Sequence, residues 1–467
     1  MTGERVARQP ADARDAVQRA VEHASVTRAV VVDRDAIARL PQLLAALAPA
    51  RACQLIVDPH TLDAAGVRTL AVLRAAGIAT EEPIVLDEAP RVKPRVETAR
   101  SIAECLAATR ALPIAVGAGV ISDLTKYAAE VSGTPYVCVA TAASMDGYAA
   151  SGAALLDIGF KRTLPCAPPL AIVADLDVIA DAPARMAAWG YGDLSGKIVA
   201  GADWILADAL GEDPIDPRAF ALVQDHIGGC LAGFERLGAR DIDALRGLVD
   251  GLLISGFAMQ AHGTSRPASG SEHQISHVWE MERLTVADEP AAHGACVGVA
   301  TVAMLAMYEW LLAQDIAKAT AAPDADRRRV DAELAGSFAE PSLVDSARSE
   351  MNVKLARIGQ RDTRVGALRA KWPALRMRLA STLVPPATMM RWLAACGAAS
   401  RPSDLGIPID KLAADYRRAR LIRRRYTILD CLEDIGWLDA AVRSLVSSDG
   451  FFGGTSMTPP PRQTSPS

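Results

Sequence analysis

The pattern of apolar and polar positions divides the chain into two parts. Between residue 27 and about residue 175, short apolar runs alternate with Ala- and Leu-rich stretches of helical period, such as Arg68–Ala76 and Val96–Ala108. The apolar runs predict buried strands at Ala29–Val32, Cys53–Val57, Ile84–Leu86, Pro113–Val116, Tyr136–Ala140 and Leu170–Ala174. Because parallel strands are joined by crossovers of helix length, this alternation predicts a doubly wound α/β domain.

After about residue 176 the strand pattern nearly vanishes and helical spacing dominates. It runs through Trp204–Leu210, Ile242–Met259, Ala291–Leu312 and Lys411–Leu445, with a predicted loop at Ala322–Arg328. The last residues are rich in Gly, Ser, Thr and Pro, which is typical of a disordered tail. The predicted organisation is an N-terminal extension (1–26), an α/β domain (27–175), a helical domain (176–446) and a disordered tail (447–467).

Composition narrows the class of protein. The chain has 467 residues and a formal net charge of −5, so it lacks the basic excess expected of a nucleic-acid-binding protein. Its eight cysteines are scattered, which favours reduced core thiols over a disulfide framework. The first 25 residues contain no apolar segment, and no apolar run reaches the roughly 18 residues of a membrane span. We therefore expect a cytoplasmic protein with neither a nucleic-acid nor a membrane partner.

Three segments at predicted strand ends are candidates for cofactor binding. Gly117–Ile121 follows one strand and opens a helical stretch, where backbone N–H groups could approach a pyrophosphate. Asp58 ends another strand and could accept ribose hydroxyls, and Thr141–Asp146 follows a third. Each also has a plain structural interpretation. The first departs from G-x-G-x-x-G at Ser122 and resembles an ordinary strand-to-helix turn, Asp58 could cap a helix, and Asp-Gly at residues 146–147 favours a turn.

Histidines are concentrated in one region. Of seven in the chain, four fall between residues 261 and 293: His262, His273, His277 and His293. His273 and His277 are four residues apart, so a helix would present both on one face. Together with Asp193, in a polar stretch that we interpret as a break before a helix, two imidazoles could hold a catalytic divalent metal with an open position. Capping and surface histidines are the alternative.

Paired cations mark a possible phosphate site. Lys161 and Arg162 stand in a segment bounded by Gly159 and Pro165, which predicts a loop. Such cations could hold a phosphate group. A solvated charged loop is the more common explanation for such a pair.

Taken together, these strings resemble the sn-glycerol-1-phosphate dehydrogenases, which belong to the wider group of iron-containing alcohol dehydrogenases, glycerol dehydrogenase and dehydroquinate synthase. The resemblance covers roughly residues 27–445. Its most specific pieces are ATAASMDGYAASGA, GFKRTLPCAPPLAIVADLDVIADAP, GYGDLSGK, SRPASGSEHQISH and LIRRRYTILDCLEDIGWLD. It implies an N-terminal Rossmann-like nucleotide-binding domain and a C-terminal helical metal-binding domain, as in dehydroquinate synthase.

The resemblance also implies roles for individual residues. The cofactor-binding positions would be Asp58, Gly117, Ala118, Gly119, Val120, Ile121, Thr141 and Ser144. The metal ligands would be Asp193, His273 and His293, whereas His277 would contact substrate instead of metal. The catalytic residues would be Asp146 and His277, and the substrate contacts Asp146, Asp193, His277 and Lys161, with Arg162 and Arg266 as further phosphate candidates. One position departs: many relatives have a cofactor-contacting Ser where this chain has Ala150, followed by Ser151.

The activity implied is the reversible, metal-dependent, NAD(P)H-linked reduction of dihydroxyacetone phosphate to sn-glycerol-1-phosphate. A glycerol or polyol dehydrogenase, a dehydroquinate synthase-like sugar-phosphate cyclase and a catalytically silent binding protein are the alternatives. Two His and one Asp accept Zn²⁺, Ni²⁺ or Fe²⁺, and Asp58 favours NAD(H) over NADP(H). A homodimer or higher homo-oligomer is expected from the resemblance.

Overall fold

The architecture is taken from a computed structural model, which describes residues 11–89, 91–157, 160–323, 327–356 and 360–453. Ten strands are found in these ranges. They are β1 (Ala29–Asp33), β2 (Cys53–Val57), β3 (Ile84–Val85), β4 (Leu112–Gly117), β5 (Val137–Ala140), β6 (Ala153–Asp157), β7 (Phe160–Leu164), β8 (Ala171–Asp175), β9 (Thr285–Val286) and β10 (Glu289–Pro290). The six predicted strands correspond to β1–β5 and β8.

These six strands form one parallel sheet in the order β1-β8-β5-β4-β2-β3. Strands β2, β4, β5 and β8 are buried along their whole length, because helices cover both faces of a parallel sheet and leave no side for polar residues. The predicted doubly wound α/β architecture is confirmed. Its strand order reverses direction along the sheet, and ligands bind beside the carboxyl ends of strands in such sheets.

Twenty-one α-helices are found in the described ranges. They are α1 (Ala11–Glu22), α2 (Leu40–Leu47), α3 (Pro59–Thr61), α4 (Val67–Ala75), α5 (Val96–Thr109), α6 (Gly119–Ser132), α7 (Leu176–Asp181), α8 (Ala184–Ala209), α9 (Pro217–Gln224), α10 (Ile227–Leu231), α11 (Phe234–Gly238), α12 (Ile242–His262), α13 (Ser271–Met281), α14 (His293–Leu312), α15 (Arg327–Ser337), α16 (Pro341–Leu355), α17 (Arg361–Thr382), α18 (Pro386–Ala395), α19 (Ile409–Ala419), α20 (Ile428–Asp434) and α21 (Leu438–Val446). From α7 onward the chain is almost entirely helical, as predicted.

Helix α14 forms the centre of the helical part and packs against α8 and α13. Contrary to the expectation from the sequence, it is long and apolar enough to cross a membrane, the one such helix in the described ranges. However, 83% of its most apolar stretch is buried inside the protein. Its apolar composition therefore reflects a core helix surrounded by other helices.

Several local expectations are wrong. The segment from Gly159 to Pro165 was expected to be a loop, but Phe160–Leu164 pairs antiparallel with β6, so Lys161 and Arg162 lie on a hairpin strand. The stretch around Asp193 is not a break before a helix: it lies in the middle of α8. The helical pattern of Lys411–Leu445 is divided among α19, α20 and α21, with Gly436 adopting a positive φ of 68° between the last two.

The chain ends also differ from simple tails. Helix α1, within the predicted extension, packs against α12 and buries Ala16 and Val17. The predicted tail begins at Ser447, yet Phe452 is buried and its N–H donates to the Leu445 carbonyl. Residues 454–467 lie outside the described residues. All eight cysteines are free thiols, and only Cys105 is exposed, so the expectation of reduced core thiols holds for seven of them.

Candidate active site

Three helices bring Asp193, His273 and His293 together. Asp193 is fully buried in α8, His273 lies in the first turn of α13, and His293 is the first residue of α14. One potential ligand atom of each lies within 4.8 Å of the others. His273 Nε2 is 3.7 Å from Asp193 Oδ1, and the two imidazole centroids are 5.3 Å apart. The residues predicted as metal ligands therefore form one cluster, although they are spread over 100 residues of the chain.

Glycines allow this approach of helices. A Cβ on Gly294 would lie 1.9 Å from the Trp189 carbonyl oxygen, far below any allowed contact. Helices α8 and α14 therefore touch backbone to backbone, directly beside Asp193 and His293. A Cβ on Gly190 would lie 2.0 Å from the Ala143 carbonyl oxygen, so the same helix also touches the segment after β5. Backbone contact on both sides fixes where Asp193 lies.

Both histidines of the cluster are oriented by glutamates. His273 Nδ1 is bonded to Glu272 Oε1 at 2.7 Å, and His293 Nδ1 to Glu280 Oε1 at 2.5 Å. A carboxylate acceptor places the ring proton on Nδ1 and leaves the Nε2 lone pair for another partner. Metal-binding histidines usually have such a carboxylate or carbonyl partner. The donor set of two oriented imidazoles and one carboxylate thus fits a divalent transition metal.

The electrostatics of the cluster favour the metal-binding protonation states. Burial lowers the pKa of His273 well below its usual range, and the Lys197 ammonium and His293 lower it further. Burial alone would raise the pKa of Asp193, but Lys197 and the two histidines outweigh it and lower the pKa to about 2. At neutral pH the site therefore presents a neutral imidazole and an ionised carboxylate, the forms that bind a cation.

His277 differs from the two oriented histidines through its partner. It lies one turn after His273, and its ring centroid is 5.9 Å from that of His293. The Arg423 guanidinium lies 3.3 Å from His277 Nδ1. Because a guanidinium can only donate, Nδ1 accepts and the ring proton lies on Nε2. A second possible ligand group consists of His277, Glu280 and His293. It is less suited to a cation, because Glu280 is already bonded to His293 and because His277 would present an N–H group to the ion.

Asp146 and Lys197 complete the cluster. The Asp146 N–H donates to Asp193 Oδ2 at 3.1 Å, and its carboxylate accepts from Ser255 Oγ at 2.9 Å. Lys197 is fully buried, with Nζ 2.5 Å from Asp193 Oδ1 and 2.9 Å from Asp146 Oδ2. Lys197 is not among the functional residues predicted from the sequence. Its spacing of four residues from Asp193 was the available signal, but on a helix this spacing is usual for exposed ion pairs.

The candidate cofactor segments lie side by side at one edge of the sheet. Asp58 follows β2, Gly117–Ile121 spans the end of β4 and the start of α6, and Thr141–Ser144 follows β5. These strands are neighbours in the order β5-β4-β2, and the Thr141 N–H donates to the Gly117 carbonyl at 3.2 Å. The segments therefore line the carboxyl edge of the sheet, where dinucleotides bind in this architecture.

Asp58 and Ala150 are the two cofactor positions for which the sequence left an alternative or a departure. Asp58 does cap a helix, since its Oδ1 accepts the Thr61 N–H at 2.8 Å, so the structural alternative for this residue is also realised. Ala150, the position that departs from the family resemblance, is buried, whereas Ser151 is exposed. Ser151 therefore does not take over the buried position.

The three cations predicted as phosphate ligands are Lys161, Arg162 and Arg266. The side chain of Lys161 lies outside the described residues. Arg162 pairs with Asp157 at 3.3 Å and is 60% exposed on its hairpin. Arg266 is 2% exposed, pairs with Asp213 at 2.8 Å and donates to the Asp203 carbonyl at 3.0 Å. Arg266 is thus held in the core by these contacts, and its role in binding phosphate stays a prediction.

Comparisons with known proteins agree with this architecture. A family model described as iron-containing alcohol dehydrogenase matches residues 31–183. The glycerol-1-phosphate dehydrogenase [NAD(P)+] of Halalkalibacterium halodurans is 34% identical over 256 residues, 55% of this chain and 64% of that protein. The protein of the same name from Geobacillus stearothermophilus is 31% identical over 326 residues, 69% of this chain and 71% of the relative. For the first of these, the match spans less than two thirds of the relative's length.

Solved structures extend the similarity of fold. Glycerol dehydrogenase from Schizosaccharomyces pombe aligns with a TM-score of 0.58 and 15% identity, over 89% of this chain and 90% of that one. NADH-dependent butanol dehydrogenase A from Thermotoga maritima aligns with a TM-score of 0.56 and 14% identity, over 90% and 97%. At such identities the likeness concerns the fold alone.

Proposed function

The chain belongs to the glycerol-1-phosphate dehydrogenase family, and from that premise we propose that it catalyses the NAD(P)H-linked, reversible reduction of dihydroxyacetone phosphate to sn-glycerol-1-phosphate. The observation that carries the proposal is the juxtaposition of two sites. A cluster suited to a divalent metal, Asp193 with His273 and His293, is joined through α8 to the sheet edge suited to a dinucleotide.

We assign the binding roles as follows. Asp193, His273 and His293 would hold one divalent ion, and Asp58, Gly117–Ile121, Thr141 and Ser144 would hold the nicotinamide cofactor. When bound, the ion supplies Lewis acidity toward a carbonyl oxygen and the cofactor supplies or accepts a hydride. Asp58 would favour NAD(H), since a carboxylate at the ribose repels a 2′-phosphate.

The chain's own residues would orient the substrate. The Asp146 carboxylate, fixed by Ser255 and Lys197, can accept a hydrogen bond from the substrate hydroxyl. His277 carries its proton on Nε2, so it can donate to the substrate oxygen on which negative charge develops during reduction. Burial and Arg423 lower the pKa of His277 well below its usual range, so the ring is neutral and keeps only this one proton.

The alternatives are less well supported. A dehydrogenase for unphosphorylated glycerol shares the fold, but the relatives that establish the family are named for the phosphorylated substrate. A cyclase on the same fold would use the cofactor without net turnover. We further propose cytoplasmic localisation and assembly into a homodimer or higher homo-oligomer, with the small phosphorylated ketone as the natural partner.

The test is NADH oxidation by protein reconstituted separately with Zn²⁺, Ni²⁺ and Fe²⁺. We expect turnover with dihydroxyacetone phosphate, much slower turnover with dihydroxyacetone, and loss of both after chelation. Chiral analysis of the product should give sn-glycerol-1-phosphate. Equal rates with the two ketones would favour a polyol dehydrogenase, and no turnover with either under any metal would contradict the proposal.

A further inference from the structure

Three consecutive arginines lie between α19 and α20, beside the candidate active site. Arg424 is neutralised: it forms a two-pronged ion pair with Glu350, at 2.9 and 3.1 Å, through Nη2 and Nε. In the part of the chain that the structure describes, neither Arg423 nor Arg425 forms an ion pair with a carboxylate. Arg423 lies against His277 Nδ1, and Arg425 donates to the Ser269 carbonyl and to Ser265 Oγ.

Both unbalanced cations lie along α13, the helix that carries His273. Arg425 contacts the segment that leads into this helix, and Arg423 reaches His277 one turn further on. Acidic groups act on them only from beyond ion-pair distance: Glu350 and Glu280 on Arg423, and Glu272 and Asp213 on Arg425. Burial, Arg266 and Arg423 lower the pKa of Arg425 to about 9, because together they outweigh the attraction of Glu272 and Asp213.

We propose that Arg423 and Arg425 form the subsite for the substrate's phosphate group. This inference rests on the proposed function and deepens it, because it identifies the groups that would distinguish a phosphorylated ketone from a plain one. Guanidinium groups bind phosphate oxygens through paired, charge-assisted hydrogen bonds, and two of them balance a phosphate dianion.

Arg423 lies on the side of His277 that faces away from His273 and the metal cluster. In dihydroxyacetone phosphate, one carbon and one ester oxygen separate the carbonyl carbon from phosphorus. In the protein, one imidazole separates Arg423 from the metal cluster: His277 contacts Arg423 on one side, and its ring centroid is 5.8 Å from that of His273 on the other. A ketone oxygen at the cluster would leave the phosphate to extend past His277 toward Arg423.

The other arginines considered for the phosphate site are paired with carboxylates, which leaves Arg423 and Arg425 as the candidates. Arg266 is held in the core, Arg162 pairs with Asp157 on the hairpin, and Arg424 pairs with Glu350. Arg424 is therefore a matched control, because it has the same side chain in the same segment and its charge is already balanced.

The experiment compares Arg423→Gln, Arg425→Gln and Arg424→Gln in the metal-loaded enzyme. We expect the ratio of kcat/KM for dihydroxyacetone phosphate to that for dihydroxyacetone to fall by about tenfold to a hundredfold in the first two, because each loses hydrogen bonds to a charged group. The loss should appear mainly as a higher KM for the phosphorylated ketone. Arg424→Gln should stay within about twofold of the wild type.

A binding measurement separates this inference from the proposed function. Calorimetric titration with dihydroxyacetone phosphate reports the subsite even if the wild type shows no turnover, and binding lost in Arg423→Gln but kept in Arg424→Gln would support the subsite alone. Arg423 is exposed, so its substitution leaves the core untouched. Unchanged affinity in Arg423→Gln, or an equal loss in Arg424→Gln, would overturn the inference.

Discussion

Lys197→Met removes the buried positive charge that joins the two carboxylates of the site. Methionine keeps most of the length of the side chain but cannot pair with Asp193 at 2.5 Å or Asp146 at 2.9 Å. Removing one partner of a buried ion pair costs about 3–5 kcal/mol, because the remaining charge is left uncompensated. Asp193 retains a hydrogen bond from the Asp146 N–H, and the Asp146 carboxylate retains one from Ser255 Oγ. We therefore expect the substitution to lower the unfolding free energy of the metal-free protein by about 3 kcal/mol, the lower end of this range.

A divalent ion on Asp193 should restore most of the missing charge. The same substitution should then cost only about 1 kcal/mol in the metal-saturated protein, since a bound cation compensates the carboxylate. By linkage, the variant must bind the metal more tightly by the difference, about 2 kcal/mol or roughly thirtyfold.

The assay is urea unfolding of the metal-free and metal-saturated forms, together with metal titration in a chelator buffer. The two measurements close a thermodynamic cycle, so each checks the other. A loss below about 1 kcal/mol in the metal-free form would refute the reasoning on burial. Weaker metal binding by the variant would refute the idea that Lys197 competes with the ion for Asp193.

Three further predictions concern the frame around the site. Glu280→Gln should weaken metal affinity about 10–100-fold, measured by the same titration, because His293 loses its carboxylate partner; affinity equal to wild type would contradict this role. Gly294→Ala should lower the unfolding free energy by about 1–3 kcal/mol, because the added Cβ overpacks the contact between α8 and α14. Gly247→Ala is the control and should not lower it, because a Cβ there meets nothing within 4 Å. Equal effects of the two substitutions would contradict the close contact of α8 with α14. Asp250→Asn should stabilise the protein above about pH 6, because burial raises the pKa of Asp250 to about 6 and ionising it in the folded state then costs stability. This gain should grow from about pH 4 to about pH 6 and level at about 3 kcal/mol in urea unfolding, and a gain independent of pH would exclude burial of the charge as its cause.

The parallel sheet was predictable because buried parallel strands are continuous apolar runs. Strand β4, for example, is buried at each of its residues, so its sequence has no polar face to obscure the pattern. The hairpin strand β7 was missed for the opposite reason: its Lys and Arg residues and the flanking Gly and Pro are typical of a loop.

The environment of Asp193 could not be predicted from local patterns. Glycine weakens helix propensity, yet Gly190, Gly192 and Gly196 lie inside α8. Neighbouring backbone and side chains occupy the space that a Cβ would need at each of these positions. The packing of α8 against α14, which lies more than 80 residues later in the chain, stabilises the helix at this position. No local propensity contains that information.

The different roles proposed for His273 and His277 likewise depend on distant partners. Their spacing makes them equivalent on α13, and only their hydrogen bonds distinguish them. His273 is paired with the adjacent Glu272, whereas His277 is paired with Arg423, 146 residues away in the sequence. The spacing in the sequence identifies both histidines as candidates, and their tertiary contacts give the physical reason for proposing different roles.

The most direct test of the account is a count of bound metal in matched variants. Metal-free wild type, His293→Gln and His277→Gln would each be titrated with Ni²⁺ and the bound ion counted per chain. We expect one ion per chain in the wild type, retention of the ion in His277→Gln and its loss in His293→Gln. Retention in His293→Gln together with loss in His277→Gln would contradict the assignment of Asp193, His273 and His293 as the metal site.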